Sequence, residues 1–235
     1  MQDQAIKDRQ WWDDYFSVGG GWEKNGGRRQ TRIFAEQFTR RLEINRCASF
    51  SLLDVGCALG DALKHFSAVF PNASLHGIDF SETAIARCRD ELKGAACLAV
   101  ADIDSIAGHY DLIYCSNTLE HFPDYDGKAR NLAHHCSRLC LLVPYEELQA
   151  GRPLRPSPSE HHQHTFYPHS YDFLLQEGLA RNITTCTFAC PGAWGWNARQ
   201  RLKETLKNVF RPLVGRQQAR EPRQIFYDII IGEHP

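Results

Sequence analysis

Several acids and histidines in this chain stand where side chains do chemistry. Asp54, Asp79 and Asp102 each close a short apolar run, in SLLDVGCALGDAL (51–63), HGIDFSETAI (76–85) and AVADID (99–104). A fourth run, YDLIYCSNTLEHF (110–122), delivers Asn117, Glu120 and His121, and His162 and His164 follow in HQHTFYP (162–168). A carboxylate at a strand end offers two oxygens to hydroxyls or amines, and imidazole, which ionises near neutrality, is suited to taking a proton from a hydroxyl. A single Asp at such a place is often only a turn former. Recurrence at successive strand ends points to a ligand.

Those residues need a sheet to bring them to one edge. Apolar runs of strand character occur at 50–55, 74–79, 96–101, 110–115 and 139–143, separated by helical patterns at 60–70, 81–92 and 125–137. Such alternation predicts parallel strands joined by helical crossovers. Ser81 before the Ala84, Ile85, Cys88 stripe is a helix cap, and Gly94 ends the same helix. After Pro144 the texture changes to a Pro- and His-rich loop (151–168), a short helix at 169–177, a strand at 183–190 and a last strand, QIFYDIII, at 224–231.

The first turn limits the ligand. A dinucleotide site wants G-x-G-x-x-G, so that backbone approaches a pyrophosphate. Here Gly56, Ala58 and Gly60 are flanked by Asp54 and Asp61, which would repel it. Acids suit a ligand carrying an amine and a sulfonium, which is S-adenosylmethionine. Asp79 is then placed for two ribose hydroxyls, Phe80 for a face of the adenine, and Asp102 for its exocyclic amine.

Taken together, DVGCALG, GIDFS and YDLIYCSNTLEHF resemble the DVGCGxG, GxDxS and FDLVxxxxxLEH stretches of class I methyltransferases that use S-adenosylmethionine, of the small-molecule branch (type 11/12-like), across roughly residues 50–190. The resemblance implies an α/β fold: a Rossmann-like, seven-stranded, mostly parallel sheet with helices on both faces and the last strand antiparallel. It implies a cofactor site of Asp54, Gly56, Ala58, Gly60, Asp79, Phe80, Asp102, Ile103 and Asn117. Ala58 stands where the family's middle glycine usually is, which is tolerable if its φ stays below zero. His162-x-His164-x-Phe166-x-Pro168 resembles the H-x-H-x-F-x-P stretch at the active-site mouth of many such enzymes, so His121, His162 and His164 are the candidate bases for O-methylation of a hydroxyl. Glu160, His161, His162, His164 and His169 share one loop, but imidazoles in a row do not resemble the magnesium cages of some relatives, and no metal is expected.

Two flanking segments bear on the acceptor. Residues 1–48 precede the cofactor strands, and 11–38 hold three Trp, two glycine clusters and Arg28, Arg29 and Arg32. A mobile lid with aromatic faces for a sugar ring and arginines for a phosphate or carboxylate is one reading, and a helix packed with its Trp as core is the other. The remainder, 49–235, forms the cofactor domain, with an insertion at about 191–223. Within it, Leu202, Leu206, Val209, Phe210 and Leu213 share a helical face, while Arg199, Arg201, Lys203, Lys207 and Arg211 crowd the others. That basic stretch, 199–213, would contact a membrane surface or a protein partner, or pack on its own domain.

Composition excludes other classes. The chain has 235 residues, 43% hydrophobic and 23% charged, with a net charge of −1, so it can close one sizeable core and has no global field for nucleic acid. No Asn-Pro-Pro-Tyr turn follows the fourth strand, and no basic stripe precedes the sheet, so nucleic acid is not the expected partner. A small-molecule or glycan acceptor, phosphorylated or not, is. Nine cysteines, an odd number set mostly in apolar runs, read as buried thiols. With a polar, acidic start and no run near ~20 apolar residues, the expected location is the cytoplasm, or the inner membrane face.

Overall fold

The computed structural model describes residues 9–145, 162–190 and 223–232, with 148–149, 152–153, 193, 202–203 and 206–207. Five strands run parallel: β1 (Ser51–Val55), β2 (Ser74–Asp79), β3 (Cys97–Val100), β4 (Leu112–Ser116) and β5 (Arg138–Pro144). The sheet is completed by β6 (Ala180–Ala189) and β7 (Arg223–Ile231), in the order β3-β2-β1-β4-β5-β7-β6. The last strand is antiparallel to both neighbours, as expected. A two-stranded pair, Leu148–Gln149 with Arg152–Pro153, lies outside this sheet.

Strand residues alternate between two cores because side chains switch faces at every step. On β4, Leu112 and Tyr114 join one core, Ile113 and Cys115 the other. The first core packs against α3 (Gly27–Arg41), α4 (Asp61–Val69) and α5 (Glu82–Leu92). The second packs against α6 (Tyr125–His134) and the short α7 (Phe173–Gln176). Ser81 caps α5, its hydroxyl accepting from the amide of Ala84 at 3.0 Å. Helices thus cover both faces, and the loops between strands and helices collect at the carboxyl edge.

Before the sheet, α1 (Arg9–Phe16), α2 (Gly21–Lys24) and α3 are packed helices. The glycines serve close approach here: a Cβ on Gly21 would run into the Tyr15 ring, and one on Gly27 into Trp22. Two of the three arginines are engaged by acids. Arg28 is ion-paired with Glu23, Asp61 and Glu91, tying α2, α4 and α5 together, and Arg32 lies 3.8 Å from Glu36. Arg87 of α5 donates to the carbonyls of Phe16 and Ser17 and to Glu23. Of the basic stretch at 199–213, only 202–203 and 206–207 are described; they are helical, and Leu202 and Leu206 are exposed. No helix among the described residues is long and apolar enough to cross a membrane.

Phe38 shows how firmly α3 belongs to the core. It is fully buried, with its ring centroid 4.6 Å from Tyr114 and 5.3 Å from Phe66. Phe38→Ala should therefore cost ~3–5 kcal/mol in urea unfolding, whereas a loosely attached segment would lose under about 1 kcal/mol.

Candidate active site

A cavity of about 470 Å³ opens at the carboxyl ends of β1, β2 and β4, walled on its far side by α1 to α3. Asp54, Gly56, Ala58, Asp79, Phe80, Asp102, Ile103 and Asn117 all line it. Gly60 does not. With φ +79 it caps α4, and a side chain there would strike the Cys88 sulfur, so its role is to let α4 lie against α5. Gly56 is the glycine that matters to the cavity: at φ +74, its missing Cβ would sit 2.5 Å from the Thr118 hydroxyl.

Ala58 departs from expectation. Its φ is +48, in the left-handed region, where an L residue is strained. The turn is held there because the Ala58 amide donates to Asp79 Oδ2 at 3.0 Å, while the Ser81 amide donates to Oδ1 at 3.0 Å. Asp79 therefore braces the turn after β1 against the start of α5, besides facing the cavity. Burial raises its pKa to about 6, against the lowering effect of those two amides.

Asp54 is more extreme. It is 2% exposed, and its Oδ2 has no hydrogen-bond partner. Burial, and secondarily the Asp79 charge, push its pKa up to about 8. At the next strand end, Asn117 has φ +50, a conformation Asn tolerates, and a buried Oδ1 without a partner. Asp102 accepts from the Asp104 amide at 3.2 Å and caps the 3₁₀ turn Ile103–Ser105, which fixes Ile103 in the wall.

Of the three histidines, two reach the cavity. His121 ends the 3₁₀ turn Leu119–His121, with its ring 5.1 Å from His162 and 5.6 Å from Trp12. His162 Nε2 lies 3.8 Å from Oε1 of the fully buried Glu120. Gln163 joins the two segments: its amide donates to the Glu120 carbonyl (2.8 Å) and its side chain to that of His121 (3.1 Å). His164 points elsewhere. Its Nε2 is 3.0 Å from the Pro123 carbonyl oxygen, its ring lies against Tyr125, and it is absent from the cavity lining. His169 is exposed and 2.9 Å from Asp172, and Glu160 and His161 lie outside the described residues, so the row of imidazoles is divided. Glu120 was given no role from the sequence; its place beside His121 in the LEH triplet was the available signal.

The wall opposite is aromatic: Trp11, Trp12, Tyr15, Phe16, Trp22 and Phe34. Trp11 stacks on Tyr15, and Trp12 on Phe16. Asp13 accepts from the Ser81 hydroxyl and, at 3.0 Å, from the Thr83 amide, fastening α1 to the N-terminus of α5. No Lys or Arg lines the cavity among the described residues.

Residues 53–140 match a family model described as a methyltransferase domain. Among curated proteins the chain is 32% identical over 102 residues to malonyl-[acyl-carrier protein] O-methyltransferase of Bacillus anthracis, covering 42% of this chain and 37% of that protein. It is 26% identical over 84 residues to trans-aconitate 2-methyltransferase of Deinococcus radiodurans, covering 36% of this chain and 33% of that one. The matched stretches thus span little more than a third of these relatives. Among solved structures, magnesium protoporphyrin IX methyltransferase from Synechocystis with bound S-adenosylhomocysteine superposes with a TM-score of 0.60 at 16% identity, covering 95% of this chain and 100% of that one. The seven-stranded fold is shared with it.

Two outcomes follow from this geometry. Left-handed backbone costs an L residue about 1–2 kcal/mol, against roughly 0.5–1 kcal/mol of extra chain entropy lost by glycine. Ala58→Gly should thus match wild type in guanidinium unfolding or exceed it by up to about 1 kcal/mol, and Ala58→Val should lose about 2 kcal/mol or more. The second outcome concerns pH. Asp54 keeps a proton in the fold that the unfolded chain releases near its ordinary value of 3.8, so stability falls as pH rises from there to about 8. Melting temperatures of the ligand-free chain across that window should decline, and Asp54→Asn should flatten the decline.

Proposed function

We propose that this chain, a class I methyltransferase by its 53–140 domain and its sheet, transfers a methyl group from S-adenosylmethionine to a hydroxyl of an uncharged, ring-shaped small molecule such as a sugar or glycan end. The cofactor's site has the features such a ligand requires. Asp54 presents a buried carboxylate oxygen without a partner, Asn117 a buried amide oxygen likewise, and Gly56 at φ +74 keeps the turn after β1 close against Thr118 in the cavity wall. Asp54 would hold the cofactor's cationic end, Asp79 its ribose, and Phe80, Asp102 and Ile103 its adenine. When bound, the cofactor supplies a methyl carbon made electrophilic by the sulfonium.

The observation that carries the acceptor reading is the Glu120, His121, His162 group set in the cavity wall beside the Trp and Tyr faces. Aromatic faces take the apolar face of a ring, orienting a hydroxyl toward the imidazoles. An imidazole accepts its proton, and Glu120, 3.8 Å from His162, stabilises the positive ring that results. The helices of residues 9–41 keep water from the reacting oxygen. Because the described lining holds no Lys or Arg, this site favours an uncharged acceptor over a phosphorylated one. Both curated relatives are methyltransferases, one named for transfer to oxygen. The cytoplasm is the proposed location.

A cationic amine is the second reading, favoured by the same features: Trp faces attract cations, and Glu120 adds negative charge. Incubation with S-adenosylmethionine and a panel of sugars, glycan ends, phenols and amines, with mass detection of one added methylene, tests both. Products methylated on a hydroxyl support the first reading, and products methylated only on nitrogen replace it with the second.

For a hydroxyl acceptor, His121→Ala or His162→Ala should lower kcat by ~10²-fold or more, with unchanged S-adenosylhomocysteine affinity in calorimetry. His164→Ala should stay within about threefold, because its ring braces the Pro123 turn outside the cavity.

A further inference from the structure

We propose that Glu120, His121 and His162 form a binding site for a first-row divalent cation, of the zinc type, whose open positions face the acceptor. The site deepens the O-methylation reading and depends on it for its catalytic use, though not for its existence. One ligand atom from each residue lies within 4.8 Å of the others, and all three residues line the cavity. Two imidazoles with one carboxylate form a donor set suited to zinc, cobalt or iron rather than to magnesium, which prefers an all-oxygen shell. Three protein ligands also leave coordination positions open, as catalytic sites do.

Burial favours a cation. Glu120 is fully buried beside His162, and a carboxylate in that position is stabilised by a positive charge held against it. The 3.8 Å between His162 Nε2 and Glu120 Oε1 exceeds a direct hydrogen bond and is close to the separation of about 3.4 Å expected between two ligands of one tetrahedral zinc. The ligand-bearing segments are also set relative to one another before any ion arrives. His121 and Glu120 share the 3₁₀ turn after β4, and Gln163 clamps the segment carrying His162 to it through the carbonyls of both residues. Trp12 lies edge-on to His121 and limits that ring's movement.

In the loaded site the imidazoles are ligands. A cation held there would make the O–H of an acceptor hydroxyl at an open position more acidic, so that the proton passes to water and the oxygen's electron pair forms the new C–O bond while the methyl–sulfur bond breaks and its electron pair leaves with S-adenosylhomocysteine. A vicinal pair of hydroxyls would fill two open positions at once, which suits a sugar or a catechol-like ring.

The full chain, stripped with a chelator, is titrated with Co²⁺ while visible absorption is recorded, and with Zn²⁺ by calorimetry. One equivalent is expected to bind at micromolar or lower concentration. Glu120→Gln and His162→Gln should each weaken binding at least tenfold, and His164→Gln should leave it unchanged. Retained S-adenosylhomocysteine binding shows that the variants are folded, and His162→Gln, outside the sheet and less buried than Glu120, serves if Glu120→Gln fails to fold. Absence of stoichiometric binding overturns the site, as does wild-type affinity in the folded variants, which would place the metal elsewhere. Chelation should lower turnover at least tenfold and added cation should restore it; full turnover in chelated protein overturns the catalytic use. If cobalt binds as stated but no acceptor is ever methylated, the methyl-transfer reading fails and the metal site stands.

Discussion

The site depends on two carboxylates placed inside an apolar sheet end. Asp54 and Asp79 are nearly inaccessible to water, and among the described residues no Lys or Arg of the cavity neutralises them. An ionised carboxylate in such surroundings is costly, so each acid is held toward its neutral form and awaits a partner. They differ in what compensates the burial. Asp79 takes two backbone amides, one from each of the turns it separates, and so acts as a structural strut as well as a binding group. Asp54 takes nothing on Oδ2, and a cationic ligand would supply the missing interaction. The strained φ of Ala58 accompanies this arrangement, with its amide bonded to Asp79.

Closing the cavity falls to the N-terminal helices, and their attachment is specific. Asp13 bonds to the first turn of α5, immediately after Asp79 and Phe80, and Arg87 of the same helix grips the end of α1. The aromatic wall therefore rests on the element that carries the cofactor-facing residues. Anything that shifts the start of α5 also shifts Trp12, whose ring lies between Phe80 and His121. The Asp79–Phe80 end and the His121 end of the cavity are joined through this contact surface, while α3 anchors the wall in the main core through Phe34 and Phe38.

Much of the frame was legible in the sequence, since strand runs and helical stripes there obey strict periods. All seven expected strands of the sheet form, each within a few residues of its expected bounds, and the acids fall at their ends. What was not legible depends on three-dimensional neighbours. The bond between the Ala58 amide and Asp79 joins residues twenty-one positions apart. Arg28 looked available for an anion until Glu91, on another helix, proved to hold it. His164 and His162 are two positions apart, which in a regular extended segment would put them on one face, yet His162 lines the cavity while His164 turns to the Pro123 carbonyl, a difference the spacing does not predict. Glycines in the first segment read as freedom by composition, yet Gly21 and Gly27 are there so that Tyr15 and Trp22 can lie against backbone.

The electrostatics of the cavity also bear on selectivity. With Asp54 and Asp79 at one end of the described lining and Glu120 at the other, those carboxylates would, when ionised, repel an anionic group placed among them and attract a cation. A neutral ring meets no such barrier and gains contact with Trp11, Trp12 and Tyr15. Discrimination between the two would thus not require a shape that excludes either one. It would follow from what occupies the Glu120, His121, His162 group: two imidazoles and a carboxylate alone favour the neutral or cationic acceptor, whereas a divalent ion held there turns the same wall toward oxygen donors of either charge.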